Sequence, residues 1–388
     1  MSVWRNVRRS SLLLVCTVVG ISNLAYAQCD PASFGASPND FNPDDWAIQQ
    51  CLNQPGTTQF SVGGGSPGYI ITNTLQITIA GTTLTTDPAQ PRAHLVADPT
   101  LNGLMLLANN VDNVTLSNIR LDGQKDSRDQ IFCGGTFDYG KNMRLVGNSF
   151  LINNIVSDRA LCGSAAEVQG AGFQIANSHF INNGYPASFA GVGGPWSDGL
   201  MVWACNAAGP TRSSIHNNTF ANNTDIDLVV GGGNGCDIYS NTIQNTAVHA
   251  FAGMHIGWFP GGGGNHSGIS YFNNQISSLN NLMSFGLMVG SHPWNNTVNL
   301  VSAGSVSGNT VSGAVINLQI EADTTGTARG QVIVGTGLSG AQGNWTYQNG
   351  TTCSISTNYA VNPAHAGRIS FDAGYFPLLY DNGSCTPQ

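Results

Sequence analysis

Three carboxylates and a histidine punctuate one stretch of this chain: Asp198, Asp225, Asp227 and His255. Each stands in or beside a short run whose apolar residues alternate: Gly199-Leu200-Met201-Val202, Asp227-Leu228-Val229-Val230 and Gly253-Met254-His255-Ile256. Such runs read as strands. Stacked as a ladder, they put Leu200, Leu228 and Met254 in one inward column, continued by Leu287, with Val202, Val230 and Ile256 in the next. Asp225 and Asp227, two residues apart, then point the same way. Asp227 is expected to face outward between Gly199 and Gly253, where no side chain obstructs it. Adjacent strands lie about 4.8 Å apart, so acids on neighbouring rungs can face one ligand. Acid-assisted glycoside cleavage needs two carboxyls roughly 5 to 9 Å apart, one protonated and one charged. Crowding like charges separates their proton affinities in this way. Asp198, Asp225, Asp227 and His255 are therefore the candidate catalytic residues. Any one of the acids is equally well read as a turn residue bonding backbone amides; their convergence beside glycines and histidine selects the site.

Trp196, Trp203, Trp258 and Trp294 border the same strands. Indole faces stack on the apolar faces of sugar rings, although packing of loops onto a scaffold explains them equally well. Trp203, His249, Trp258, His292, Trp294, Glu321 and Arg329 are the candidate substrate-binding residues. His292 precedes Pro293-Trp294, and Glu321 has outward parity after Asn317 and Gln319, near Arg329. His179 and His216 read as structural. The glycine runs Gly231-Gly232-Gly233 and Gly261 to Gly264 lack the helix and lysine that a phosphate loop needs. No His/Cys cluster has zinc spacing, so no metal or cofactor is expected for a hydrolytic reaction.

Elements that would hold such a ladder recur along the chain. An asparagine followed by an apolar residue and a second asparagine returns at Asn118, Asn148, Asn177, Asn218, Asn241, Asn274 and Asn309, at intervals of 30, 29, 41, 23, 33 and 35 residues. Short β-branched runs lie between, and long amphipathic helical patterns are absent. A period of this size with strands predicts a β-solenoid. Asparagine suits its corners, because it tolerates the left-handed conformation and can bond its own kind on the next coil.

The flanks have other textures. Residues 1–27 read as a secretory signal: Arg5, Arg8 and Arg9, an apolar run from Leu12 to Gly20, then Ala25-Tyr26-Ala27 before a cleavage site. Residues 28–57 read as an N-terminal cap, with Asn42 as N-cap of a helix, Trp46, Ile48 and Leu52 covering the core, and Gly56 as the stop. Residues 58–329 are the solenoid and 330–388 a C-terminal capping segment. Without the signal, 10 basic and 21 acidic residues leave a charge of 10 − 21 = −11. That balance argues against nucleic acid and anionic membrane as partners. Eight cysteines remain once Cys16 leaves, an even number that fits disulfides in an exported, secreted or periplasmic chain. Short loops favour Cys29–Cys51, Cys133–Cys162, Cys205–Cys236 and Cys353–Cys385.

The asparagine-punctuated coils resemble the right-handed parallel β-helix of the pectin-lyase-like superfamily, over about residues 34 to 320. Phe34-Gly35-Ala36 followed by Asp44-Asp45-Trp46-Ala47-Ile48-Gln49 is similar to the capping segment of polygalacturonases. Ser197-Asp198-Gly199 resembles the first acidic phrase of those enzymes. Asn223-Thr224-Asp225-Ile226 resembles the second, with Ile226 in place of an acid and Asp227 one residue beyond. His249 and His255 stand for the Gly-His-Gly phrase, and the Arg-x-Lys pair is missing. The resemblance implies an all-β fold, a single-stranded right-handed parallel β-helix with a short capping helix. It also implies a monomeric, secreted glycoside hydrolase acting on a polysaccharide. The alternatives are a polysaccharide lyase or uronate epimerase, in which Asp225 and Asp227 would hold Ca²⁺, and a non-catalytic glycan-binding solenoid.

Overall fold

In the computed structural model the chain winds as a right-handed parallel β-helix. The structure describes residues 28–129, 133, 138–185, 196–257, 263–266, 268–280, 282–289, 304–314 and 316–320. It also describes three short strands beyond them, Ile333–Val334, Trp345–Gln348 and Thr352–Ile355, which form a separate antiparallel sheet.

Each coil contributes one strand to each of three parallel sheets, the first of ten strands and the others of nine. The cap joins this stack directly, because Gln28–Cys29 pairs in parallel with Thr57–Phe60 at the end of the first sheet. The inward columns run as the alternation predicts. Leu200, Leu228, Met254 and Leu287 are in register across the third sheet, and Val202, Val230 and Ile256 form the neighbouring column. All four of the first column are fully buried. In the second sheet the facing column includes Phe180 and Phe220, stacked with ring centroids 5.2 Å apart.

The corner between the first and second sheets explains the asparagine repeat. Two adjacent positions divide the work. Asn118, Asn154, Asn177, Asn217 and Asn273 take positive φ. The next residue, at Asn218, Asn241, Asn274 and Asn309, is buried and forms a ladder: each side-chain oxygen accepts from the backbone N–H and the amide of its neighbour one coil back, at 2.9–3.1 Å. Every buried amide therefore has a partner, which a buried polar side chain requires.

The capping helix spans Asp45–Leu52, so it begins later than Asn42 and has Asp44 at its N-cap position. The Asp44 carboxyl does not cap the helix. It accepts from the backbone N–H of Ser37 and of Ile70, both at 2.8 Å, and ties the cap to the first coil. Ile48 and Leu52 cover the core as expected, but Trp46 faces out against the edge of Phe34. Its position on the helix puts it on the solvent side, where Ala47 and Ile48 take the core face. The helix stops at Leu52 with Asn53 as C-cap, ahead of Gly56.

Cys29–Cys51, Cys133–Cys162 and Cys205–Cys236 are disulfides, and Cys353–Cys385 lies outside the described residues. Three disulfides fit an oxidising compartment. Among the described residues no helix is long and apolar enough to cross a membrane. Cys205–Cys236 closes a loop spanning 31 residues, for which constraint of the unfolded chain contributes about 3 kcal/mol. Replacing both cysteines by alanine should lower the melting temperature by several degrees without altering the far-ultraviolet spectrum. An unchanged melting curve would remove the bond from the stability account.

Candidate functional site

The leading edge of the third sheet, where each coil turns in from the second, gathers the titratable groups. Ser164, near the start of strand Gly163–Ala171, pairs in register with Asp198, near the start of strand Ser197–Asn206. Asp198 accepts from the Ser164 hydroxyl at 3.1 Å and from the backbone N–H of Ile226 at 3.2 Å. Asp225 sits in the bend before strand Ile226–Val230, its own N–H donating to the carbonyl of Ser197 at 3.2 Å. Both acids are half-buried. One coil before Asp198, Glu167 is buried and receives the Lys141 ammonium at 2.7 Å. The aliphatic stem of Lys141 lies over Gly163, where a Cβ would come within 3.0 Å of it. Asp138 is 3.5 Å from the same ammonium and 3.4 Å from the Arg144 guanidinium.

Burial pushes Asp225 up to about 7. Burial also holds Asp198 well above the usual carboxylate range; the charges of Asp225 and Glu167 add to this, against the hydrogen bonds from Ser164 and Ile226. Glu167 has an ammonium in contact at one oxygen, and its second oxygen, Oε2, is buried without a hydrogen-bond partner. Protonated carboxyls thus stand within electrostatic reach of an ion-paired one, on consecutive rungs.

Of the residues expected from sequence, Asp198 and Asp225 come together; Asp227 does not join them. It is fully buried, accepts from the Asn223 amide at 2.6 Å, and burial holds its pKa well above the usual range. The outward orientation fails because the strand begins at a corner, where the side chain turns to the interior asparagine instead of following the alternation. The glycines do not open space for a ligand either. A Cβ on Gly199 would collide with the carbonyl of Asp227 and come 2.7 Å from the Asn223 amide; one on Gly253 would meet core side chains of Ile276 and Met283. Among the described residues no three His, Cys, Asp or Glu side chains are grouped to hold a metal. With Asp227 turned inward, the Asp225–Asp227 pair does not offer Ca²⁺ two converging carboxylates.

His255 stands in the outward row of the third sheet, in register with Val229, Met201 and Glu167, but three rungs from Glu167 and fully buried. His249 is half-buried just ahead of strand Ala250–Ile256. The register slips at Trp203: Val202 and Ala204 on either side of it pair with the adjacent Val168 and Gln169. This bulge re-aims its ring, which packs half-buried against the core. His216 stacks on Tyr239 on the first sheet, away from the acids. Trp258, His292, Trp294, Glu321 and Arg329 lie outside the described residues.

Sequence reasoning missed Glu167 and Lys141. A signal was available: Glu167 is one of two glutamates and Lys141 one of two lysines after the first 27 residues, and the glutamate interrupts the apolar run Ala165-Ala166-Glu167-Val168.

No protein-family model matches the sequence, and no curated protein matches it. Solved structures do resemble the fold. A structure described as Geobacillus virus E2 ORF18 shares 12% identity over 85% of this chain and 64% of its own, with a TM-score of 0.46. The phiAB6 tailspike, solved with oligosaccharides of an Acinetobacter baumannii surface polysaccharide, shares 13% over 92% of this chain and 59% of its own, at 0.49. The A-module of mannuronan C-5 epimerase from Azotobacter vinelandii shares 13% over 74% and 89%, at 0.36. The chain thus spans less than two thirds of the two viral proteins.

Proposed function

We propose that this chain is a secreted enzyme that cleaves glycosidic bonds of a polysaccharide by carboxylate acid–base catalysis. The observation that carries the reading is that, at the leading edge of the third sheet, carboxyls whose pKa burial raises stand beside a glutamate paired with a buried ammonium. Asp225, pushed up to about 7, keeps a proton for the leaving oxygen near neutral pH. Glu167, held by Lys141, is the partner carboxyl group that activates water or meets the developing positive charge on the sugar. Asp198 is bound to Ser164 and to the backbone of Ile226, and the charges of Asp225 and Glu167 help to hold its pKa up.

One observation favours elimination as a second reading. Lys141 puts a buried cation beside these acids, the kind of group that would stabilise charge developing beside a uronate carboxylate. The full chain incubated with a panel of neutral and uronic-acid polysaccharides separates the two. Hydrolysis gives new reducing ends without ultraviolet absorbance. Elimination gives reducing ends together with the absorbance of an unsaturated uronate. Absence of both products across the panel would leave a glycan-binding solenoid and end the enzymatic reading.

A further inference from the structure

We propose that the outer face of the second sheet carries a separate site, which holds an oxyanion-bearing segment of a glycan through Arg92, Arg120 and Arg159. For the class of ligand it rests on the polysaccharide reading above; the geometry is independent of the acid cluster. The three arginines belong to three consecutive rungs, the strands Ala93–Ala97, Ile119–Asp122 and Val156–Asp158, which pair in parallel. They form a diagonal across the sheet. Arg92 precedes its strand and Arg159 follows its own at the corner leading to the third sheet. His94 lies beside Arg120 in register, and His179 lies one rung beyond Val156 in the same row.

Three of the ten cations after the first 27 residues therefore converge on one small face of a chain whose formal charge is −8. Asp122 and Asp158 pair with these arginines from beneath, so they offset two of the three charges but leave outer N–H groups turned to the surface. The Asp122 side chain is 2% exposed, whereas Arg120 is 37% exposed. Arg120 donates from Nε and Nη2 to Asp158 at 3.0 and 2.6 Å, and Arg159 donates from Nε to Asp122 at 2.8 Å. Arg92 is held by the carbonyl and side-chain oxygens of Asn154. Nη1 of Arg120 and both Nη groups of Arg159 make no hydrogen bond to the described residues. Buried acceptors thus fix the guanidiniums while their outer N–H groups stay free, which lowers the ordering cost of binding an oxyanion. Lys125, nearby, is engaged by the carbonyls of Asn182 and Gly184 and neighbours the exposed Asp126, so it adds little.

The backbone supplies an independent observation. Arg159 has φ +52°, a left-handed conformation that this chain gives mainly to asparagine and glycine. A long cationic side chain there is strained, and the fold alone would be served by asparagine. Rungs about 4.8 Å apart offer one guanidinium per step to a chain lying along the solenoid axis. The face has too few cations for a nucleic-acid backbone, whose binding proteins typically neutralise about 6 to 10 phosphates. Only four residues separate Arg159 from Ser164, the partner of Asp198. A glycan held on this face therefore lies around one corner from the acid cluster.

The test measures binding, not turnover. The full chain is run at low salt through gels containing polygalacturonate, dextran sulfate, neutral dextran or duplex DNA. Retardation by an anionic polysaccharide but not by neutral dextran is expected, and salt should weaken it. Carboxylate and sulfate ligands are told apart by which anionic polymer retards. The Arg92→Gln/Arg159→Asn double variant should bind about a hundredfold more weakly and Arg159→Asn alone about tenfold, since charge-assisted bonds of this kind are each worth around tenfold. Asp225→Asn should bind as the parent does, so loss of the acid-cluster reading would leave this result standing. If the double variant unfolds, Arg159→Asn alone carries the test, because asparagine suits the left-handed backbone. Parent-like binding by that variant, equal retardation by neutral dextran, no retardation by either anionic polysaccharide, or retardation by DNA instead would overturn the proposal.

Discussion

Leu228→Asp should yield no folded protein. Leu228 is fully buried in a column with Leu200 on one side and Met254 on the other. Removing the side chain alone, as in Leu228→Ala, should cost about 2–5 kcal/mol through lost contacts and the cavity left behind. The aspartate adds a carboxylate that must be either desolvated or neutralised by a proton, a further cost of several kcal/mol. Together these approach the whole stability of an ordinary domain, about 5–15 kcal/mol. Leu151→Asp is the control: Leu151 occupies an outward position of the first sheet and is 39% exposed. It should melt within a few degrees of the parent. The measurement is thermal unfolding followed by circular dichroism on both variants. A cooperative, parent-like transition for Leu228→Asp would show that the column is not the core.

The columns were legible from sequence because alternation is strict in the middle of a strand, where pairing on both sides fixes which face each residue takes. Leu200, Leu228, Met254 and Leu287 all fall where a period of two puts them. The corners obey a different rule. The asparagines were readable as corner residues, but the partition into a left-handed position and a buried ladder position depends on hydrogen bonds between coils 23 to 35 residues apart. Asp227 shows the cost of carrying alternation into a corner: its side chain satisfies Asn223, a residue only four positions away, and leaves the outer face. Glu167 and Lys141 were hidden for another reason. Their pairing bridges 26 residues, and neither belongs to a phrase that local patterning marks as chemical. Asp198 and Asp225 could be found because each follows a turn-forming residue and precedes an apolar strand, so two local signals agree.

Asp225→Asn and Glu167→Gln should each lower turnover by about 10²-fold or more on whichever polysaccharide the parent cleaves, since a positioned acid or base contributes about that much. The two losses have different causes, and pH separates them. Asp225 has its pKa raised to about 7 in the folded protein, so it is protonated below that value and loses its proton as pH rises through it. The limb on which activity falls with rising pH should therefore lie near 7, and it should vanish in Asp225→Asn. Glu167→Gln should lower turnover while leaving that limb in place. Stability gives an independent check with the sign worked out. A carboxyl whose folded pKa is raised above its unfolded value favours folding at low pH, and that contribution is lost as pH rises from the unfolded pKa towards 7. Asn at 225 keeps the neutral shape at every pH, so the variant should be no less stable than the parent at neutral pH while nearly inactive. Glu167→Gln should be less stable, because it leaves Lys141 buried beside a neutral amide. Lys141→Met tests whether that ammonium positions Glu167: without it turnover should fall as it does in Glu167→Gln. Asp227→Asn serves as the comparison. Its carboxyl is already neutral and turned inward, so turnover should stay within about threefold of the parent, far short of the effect of removing a positioned acid or base. Near-parental turnover in both Asp225→Asn and Glu167→Gln, with folding intact, would remove the leading edge of the third sheet as the catalytic site.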